Sequence, residues 1–386
     1  MATEPACLLI ADISGYTGYL AGVELDHAQD ILADLVGTIV SALRPGFRLA
    51  KLEGDAAFTY AITDRIDGSL LLDTIERCYF GFRRRRRDMR QGTTCTCNAC
   101  VRIPELNLKF VVHHGTILRQ RVAGHEELLG SDVIVAHRLL KNEVVATMGL
   151  EAYALFSQPC VDAMDVDVAA LGMQATSETY DHIGTVPIWV HDLERRWQDE
   201  ESRTRVFVEP HAAMKEVVFA TAAPPQTAWE YVTAPGRRVL WQIGVTGVET
   251  AATGHRRAVG ATTHCMHGAE ASIEELLDWR PYDYFSLRNT IPTPAGPVHL
   301  LETTEFEPTA DGTVIHLRFG PPATAKERAV LVQMEAFLDQ AMEASFTRLA
   351  ELLRADLERR AGDGVEEPEL PQPRPDGVLR DLPAWP

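Results

Sequence analysis

The chain of 386 residues is 46% apolar and 24% charged, a globular composition, and its length predicts two domains. A formal net charge of −18 argues against a general nucleic-acid binder, because phosphate backbones select positive faces. No apolar run approaches bilayer thickness, and the first one ends at Asp12 with no basic flank. Seven cysteines in so long a chain are not a disulfide framework, so a cytoplasmic protein without a membrane span is expected.

Leu8 to Thr17 (Leu-Leu-Ile-Ala-Asp-Ile-Ser-Gly-Tyr-Thr) is an apolar run that stops at a carboxylate, Asp12, and turns at Gly15. From Ala28 to Leu43, apolar residues recur at helical spacing, and Pro45 and Gly46 end that helix. Phe47 to Leu52 reads as a strand leading into Gly54 and Asp55, with a hairpin partner from Ala56 to Ile62. Forty-three residues separate the two aspartates, room for a helix and a return strand, so their carboxylates are expected on adjacent strand ends. Two such carboxylates make a hard-oxygen site for a divalent cation that could hold a polyphosphate.

Ser69 to Phe82 predicts a second amphipathic helix, with Arg83 to Arg87 and Arg90 at its end. That run reads as a solvated helix end or as an anion- or partner-docking patch. Cys95, Cys97 and Cys100 follow, with Cys78 as a fourth thiol and His113 or His114 as other candidates. Such a set suits tetrahedral zinc, while reduced half-buried thiols or a redox pair fit as well. Leu106 to His114 predicts a core strand closing at Gly115, Gly130 to Val145 a helix, and Thr185 to Leu193 a last strand. Arg195 to Arg205 is nearly all polar, as expected of a connector.

In the second half, strands are expected over 216–220, 238–245, 257–266, 271–279, 282–291, 298–306 and 314–319. A short helix spans 226–232 and one long helix 323–360. A curved antiparallel sheet gripping a helix is the architecture this order predicts. His264, Cys265 and His267 alternate along one strand and either line a cavity or are ordinary packing and surface residues. The tail from Ala361 to Pro386, rich in Pro, Glu, Asp and Gly, reads as disordered. The expected division is 5–195, a linker over 196–210, 211–360 and the tail, all within an α+β class.

Four segments carry a resemblance. Ile10 to Thr17 is similar to the first metal motif of class III adenylate and guanylate cyclases, with Tyr16 where Phe is usual. Lys51 to Asp55 (Lys-Leu-Glu-Gly-Asp) resembles the second motif, Phe110 to Gly115 the following core strand, and Gly130 to Leu139 a late motif. The resemblance implies a ferredoxin-like α/β sandwich binding ATP or another purine nucleotide with Mg²⁺ or Mn²⁺. It implies Asp12, Ile13 and Asp55 at the metal, Gly15, Tyr16 and Thr17 at the nucleotide, and Lys51 and Glu127 at an adenine base. Arg138 would stabilise the transferring phosphoryl group. It also implies a head-to-tail homodimer, with Lys51, Glu127 and Arg138 supplied by the second subunit.

Two positions depart from the pattern: Ile134 replaces the ribose-binding Asn, and Ile183 stands where the terminal motif has a phosphate-binding Lys. Losing such a donor typically costs on the order of 10²–10³ in rate. The expectations are therefore a cyclase forming cyclic AMP or a catalytically inactive nucleotide-binding and dimerisation module. The Cys cluster and Leu139 to Asn142 are similar to a bacterial branch of cyclase-like domains. Residues 211–360 resemble a START-like (SRPBCC, polyketide cyclase and lipid-transport) domain through Glu216 to Phe219, Pro224 to Val232 and the long last helix. That resemblance implies a helix-grip fold around a small hydrophobic ligand, regulating the first domain or itself the seat of an activity.

Overall fold

The computed structural model describes residues 3–44, 46–92, 96–122, 125–268 and 270–361. Cys95 and the expected disordered tail after Ala361 lie outside them. The chain forms two compact units that part between Arg203 and Thr204.

The first unit begins β1 (Glu4–Ser14), α1 (Leu25–Leu43), β2 (Arg48–Glu53), β3 (Ala56–Ile62), α2 (Gly68–Gly92), β4 (Asn107–Val122). In the sheet these four strands lie in the order β2-β3-β1-β4, all antiparallel, which is the split βαβ arrangement of a ferredoxin-like fold. The sheet continues through β6 (Tyr153–Ser157), β8 (Gly184–Asp192) and β7 (Gln174–Tyr180), while β5 (His125–Leu129) pairs with β4. Alternation along β1 divides the core. Cys7, Leu9, Ala11 and Ile13 face α1 and α2, whereas Ala6, Leu8 and Ile10 pack with Ala136 of α3 (Ser131–Leu139). Asp12 belongs to the α3 face by the same alternation.

Several elements differ from expectation for identifiable reasons. Helix α2 continues ten residues past Phe82 because its arginines find partners. Arg83 and Arg85 pair with Glu194 and Asp34, Arg87 with Glu201 at 3.0 Å, and Arg86 donates to the Leu106 carbonyl. The run thus carries ion pairs while Arg84, Arg85, Arg87 and Arg90 stay exposed. The expected connector contributes α4 (Leu193–Ser202), whose Trp197 joins the core under Arg83, Arg84 and Arg87. Strand β4 does not stop at Gly115, which is glycine because a Cβ there would fall 2.3 Å from the Asp132 carboxyl carbon. The helix expected over 130–145 breaks at Asn142, whose side chain donates to the Leu139 carbonyl at 2.7 Å and accepts from Val144 N and Tyr153 Oη.

The second unit runs β9 (Lys215–Thr221), α5 (Pro225–Thr233), α6 (Pro235–Trp241), β10 (Gly247–Ala251), β11 (Thr262–His267), β12 (Glu270–Arg280). It ends with β13 (Tyr284–Ile291), β14 (Val298–Thr309), β15 (Gly312–Phe319) and α7 (Ala325–Ala361). Its seven strands form one antiparallel sheet in the order β10-β11-β12-β13-β14-β15-β9. Fully buried Trp229 of α5 packs edge-on against Trp279, Tyr282 and Phe285, at centroid distances of 4.7, 5.8 and 5.6 Å. Phe346 of α7 stacks on Phe219 at 5.2 Å, so the long helix is held against the sheet. The segment from Arg238, expected as a strand, is helical instead. Pro235 preorganises its first turn, and Trp241 is buried with Nε1 donating to the Tyr231 carbonyl at 2.8 Å.

Candidate functional site

Register brings the predicted carboxylates together. Asp12 on β1 lies opposite Ala56 of β3 and opposite Lys109 of β4. Asp55 immediately precedes Ala56 in the tight β2–β3 turn, where Gly54 takes a φ of 70° open to glycine. The Asp55 carboxyl neighbours that of Asp12, and its pKa is pushed up to about 6, first by burial and then by the Asp12 charge. Lys109 Nζ stands 3.1 Å from Asp12 Oδ2, a contact not foreseen in the sequence. Further along β1, Ser14 holds a buried hydroxyl without a hydrogen-bond partner.

This donor set suits a hard divalent ion. Two carboxylates repelling each other and a spare hydroxyl are oxygen donors for which Mg²⁺ or Mn²⁺ would relieve the repulsion. Lys109 supplies that relief in part and stands as a competitor for Asp12. Ile13 has its side chain in the core, so only its backbone could meet an ion. Gly15 turns the chain at φ 85°, and a Cβ there would fall 2.8 Å from the Glu105 carbonyl oxygen. Tyr16 and Thr17 then start a short helical turn, Tyr16–Leu20.

Beside this, Lys51 Nζ approaches Glu53 at 3.1 Å and Glu127 at 3.9 Å, so the two residues expected at a base edge are neighbours in one chain. Glu53 also accepts from His137 Nε2 at 3.0 Å, and the His137 ring packs edge-on against Phe58. Arg138 is exposed on α3, and so is Ile134, at 56%. Ile183 is half-buried against the cluster around Tyr153 and Ile188, and its apolar side chain offers no hydrogen bond to a phosphate.

The cysteines are not assembled among the described residues, where no group of three or more His, Cys, Asp or Glu side chains could hold a metal. Cys78 lies in the core with its thiol against the Ile39 carbonyl, and burial pushes its pKa up. Cys100 is buried and Cys97 half-buried, and Tyr19 nearby donates to the Ala99 carbonyl at 2.9 Å. His113 and His114 are engaged elsewhere, the former with Ser157 Oγ at 2.7 Å and Asp132 at 3.3 Å, the latter with the Thr63 carbonyl. Among the described residues no helix is long and apolar enough to cross a membrane.

In the second unit a cavity of about 430 Å³ opens between the sheet and α7, lined by Ile291, Phe337, Leu338 and Met342 among others. Cys265 and His267 line it, whereas His264, the third member of that alternating set, is exposed. Arg238, Glu274 and Glu302 cluster at its inner end, a group that sequence reasoning missed. The available signal was a charge on an inward strand face: Glu302 alternates with buried Leu300 and Thr304.

The uncharacterized protein Rv2561/Rv2562 of Mycobacterium tuberculosis is 33% identical over 168 residues, 44% of this chain and 75% of the relative. The chain belongs to the family of that mycobacterial protein. Residues 32–148 match the model described as a protein of unknown function, DUF2652. Residues 213–354 match the model described as polyketide cyclase / dehydrase and lipid transport, in agreement with the START-like reading of the second unit. Among solved structures, the guanylyl cyclase Cya2 aligns at a TM-score of 0.38 and 16% identity, covering 49% of this chain and 92% of that one. The adenylyl cyclase CyaB from P. aeruginosa aligns at 0.37 and 15%, covering 50% and 95%.

Proposed function

We propose that the first unit of this family member is a class III cyclase-like module that binds a purine nucleoside triphosphate, ATP in preference, with Mg²⁺ or Mn²⁺ on Asp12 and Asp55. The second unit binds a small hydrophobic ligand and regulates the first. The observation that carries the nucleotide reading is the meeting of the two carboxyl groups from residues distant in the chain. An ion bound there would neutralise triphosphate charge and acidify the ribose hydroxyl. The chain's own part is to hold two oxygens in register, with Gly15 turning the backbone out of the way of the phosphates.

Lys51 and Glu127 support recognition of the base by a second copy of the chain. Exposed Leu52, Leu129 and Ile134, on the elements that carry Lys51, Glu127 and Arg138, offer apolar surface for that contact. A second reading, binding without cyclic AMP formation, is supported by apolar Ile134 and Ile183 in place of polar donors and by Lys109 beside Asp12.

The test is calorimetric titration with ATP, GTP and Mn²⁺, followed by assay for pyrophosphate and cyclic nucleotide. We expect Mn²⁺-dependent ATP binding that Asp55→Asn abolishes. Pyrophosphate release that is lost in the same variant selects the catalytic reading, and its absence alongside binding selects the silent one. Nucleotide binding indifferent to both Mn²⁺ and Asp55 overturns the proposal.

A further inference from the structure

The inner end of the C-terminal cavity holds more acceptors than donors. Arg238 spends its guanidinium on Glu274, with Nη1 and Nη2 at 2.6 and 2.7 Å from the two carboxylate oxygens, and its Nε on Gln242 at 3.2 Å. Glu302 on β14, two strands away from Glu274, receives one hydrogen bond among the described residues, from Asn289 Nδ2 at 2.9 Å. The Asn289 oxygen is itself buried without a partner. A smaller cavity of about 90 Å³, lined by Glu302, adjoins the main one, both being bounded by Gln242 and Glu274.

Two carboxylates therefore share one cation that is already bidentate with the first. A buried carboxylate lacking a cation is costly, and no second one pairs with Glu302 among the described residues. The α7 wall is mainly apolar, with Phe337, Leu338 and Met342. We propose that this cavity takes an apolar molecule bearing a protonated amine, with the nitrogen seated against Glu302 and the Asn289 oxygen. This rests on the reading of the second unit as a small-molecule binder and adds the ligand's charge and the contact that selects it. An apolar carboxylate would meet Glu274 and Glu302 with like charge and is excluded.

Glu302 is also the group whose charge changes near neutrality. Burial, then the Glu274 charge, push it up to about 7. Of the groups packed around it, Cys265 is raised to about 11 by burial and stays a thiol, and burial keeps His267 below its usual range. Arg238 stays charged beside Glu274. Glu302 is an anion above about 7, so the amine's advantage grows as pH rises through neutrality.

Binding of decylamine, decanol and decanoate to the full-length chain, followed by tryptophan fluorescence at pH 8, tests this. Decylamine is expected to bind at least about tenfold more tightly than the other two, an advantage that shrinks at pH 6 in the wild type. Glu302→Gln is expected to erase the advantage while keeping decanol, and Ala341→Trp, which fills the cavity, to lose all three. Decanol or decanoate binding as tightly as decylamine overturns the amine assignment and leaves the small-molecule reading standing. Binding of none of the three to the wild type, or binding unaffected by Ala341→Trp, overturns both.

Discussion

Each unit encloses two carboxyl groups and one basic side chain, and the two trios behave differently. In the first, Asp12 and Asp55 stand side by side at the end of the sheet, and the cation is Lys109, a point charge on a flexible stem, 3.1 Å from Asp12. In the second, Arg238 is held by a planar fork on Glu274 and reaches Glu302 through its charge alone. A movable ammonium can give way to an incoming metal ion, whereas a fixed guanidinium leaves a permanent deficit for a ligand to fill. The same three charges thus suit an inorganic cation in one place and an organic one in the other.

The largest effect expected from separating the two is on stability. Trp229→Ala removes the ring on which Trp279, Tyr282 and Phe285 converge and should cost about 3–5 kcal/mol. In a unit of this size that lowers its melting temperature by about 10 °C. Calorimetry should show one transition moving and the transition of the carboxylate-bearing unit staying put. If both move equally, the units do not unfold independently and the comparison fails.

A smaller effect concerns pH. The folded value of Asp55, about 6, lies above its unfolded value of 3.8, so the native state binds the extra proton between them. Stability contributed by this group is present below about pH 4 and is lost as pH rises to 6. Denaturant midpoints of wild type relative to Asp55→Asn should therefore fall over that window. Saturating Mn²⁺ should remove the slope by holding Asp55 ionised, and a slope unchanged by Mn²⁺ argues against an ion at this site. The smallest effect belongs to Lys109→Met, which deletes the competing ammonium and should tighten Mn²⁺ binding by about threefold in calorimetry. Weaker binding would make Lys109 a support of the ion site and not its rival.

Legibility in the sequence followed the range of the interactions. Helix α1 was plain because Ala28, Ile31, Leu35, Ile39 and Leu43 repeat on one face and all are buried. Asp12 and Asp55 could be paired because a helix and a hairpin between them leave few ways to fold. What escaped was set by partners far away. The arginines of α2 looked like hydrated surface until Asp34, Glu194 and Glu201 were placed beside them. Trp197 lay in a polar stretch whose one large ring decides its burial. Arg238 sat in a run, Arg-Val-Leu-Trp, that alternates well enough for a strand, yet Pro235 had already committed it to a helical turn. Lys109, the one charge among Leu108 to Val112, gave a signal that was present and went unread.

The arginine comb on α2 has a practical consequence for dissecting the chain. A fragment ending at Asp192 would strip away Glu194, Trp197 and Glu201, baring adjacent guanidinium groups beside an emptied hydrophobic slot. Such a truncate is expected to adhere to polyanions and to itself more than the intact molecule does. Cutting after Arg203 keeps the comb neutralised.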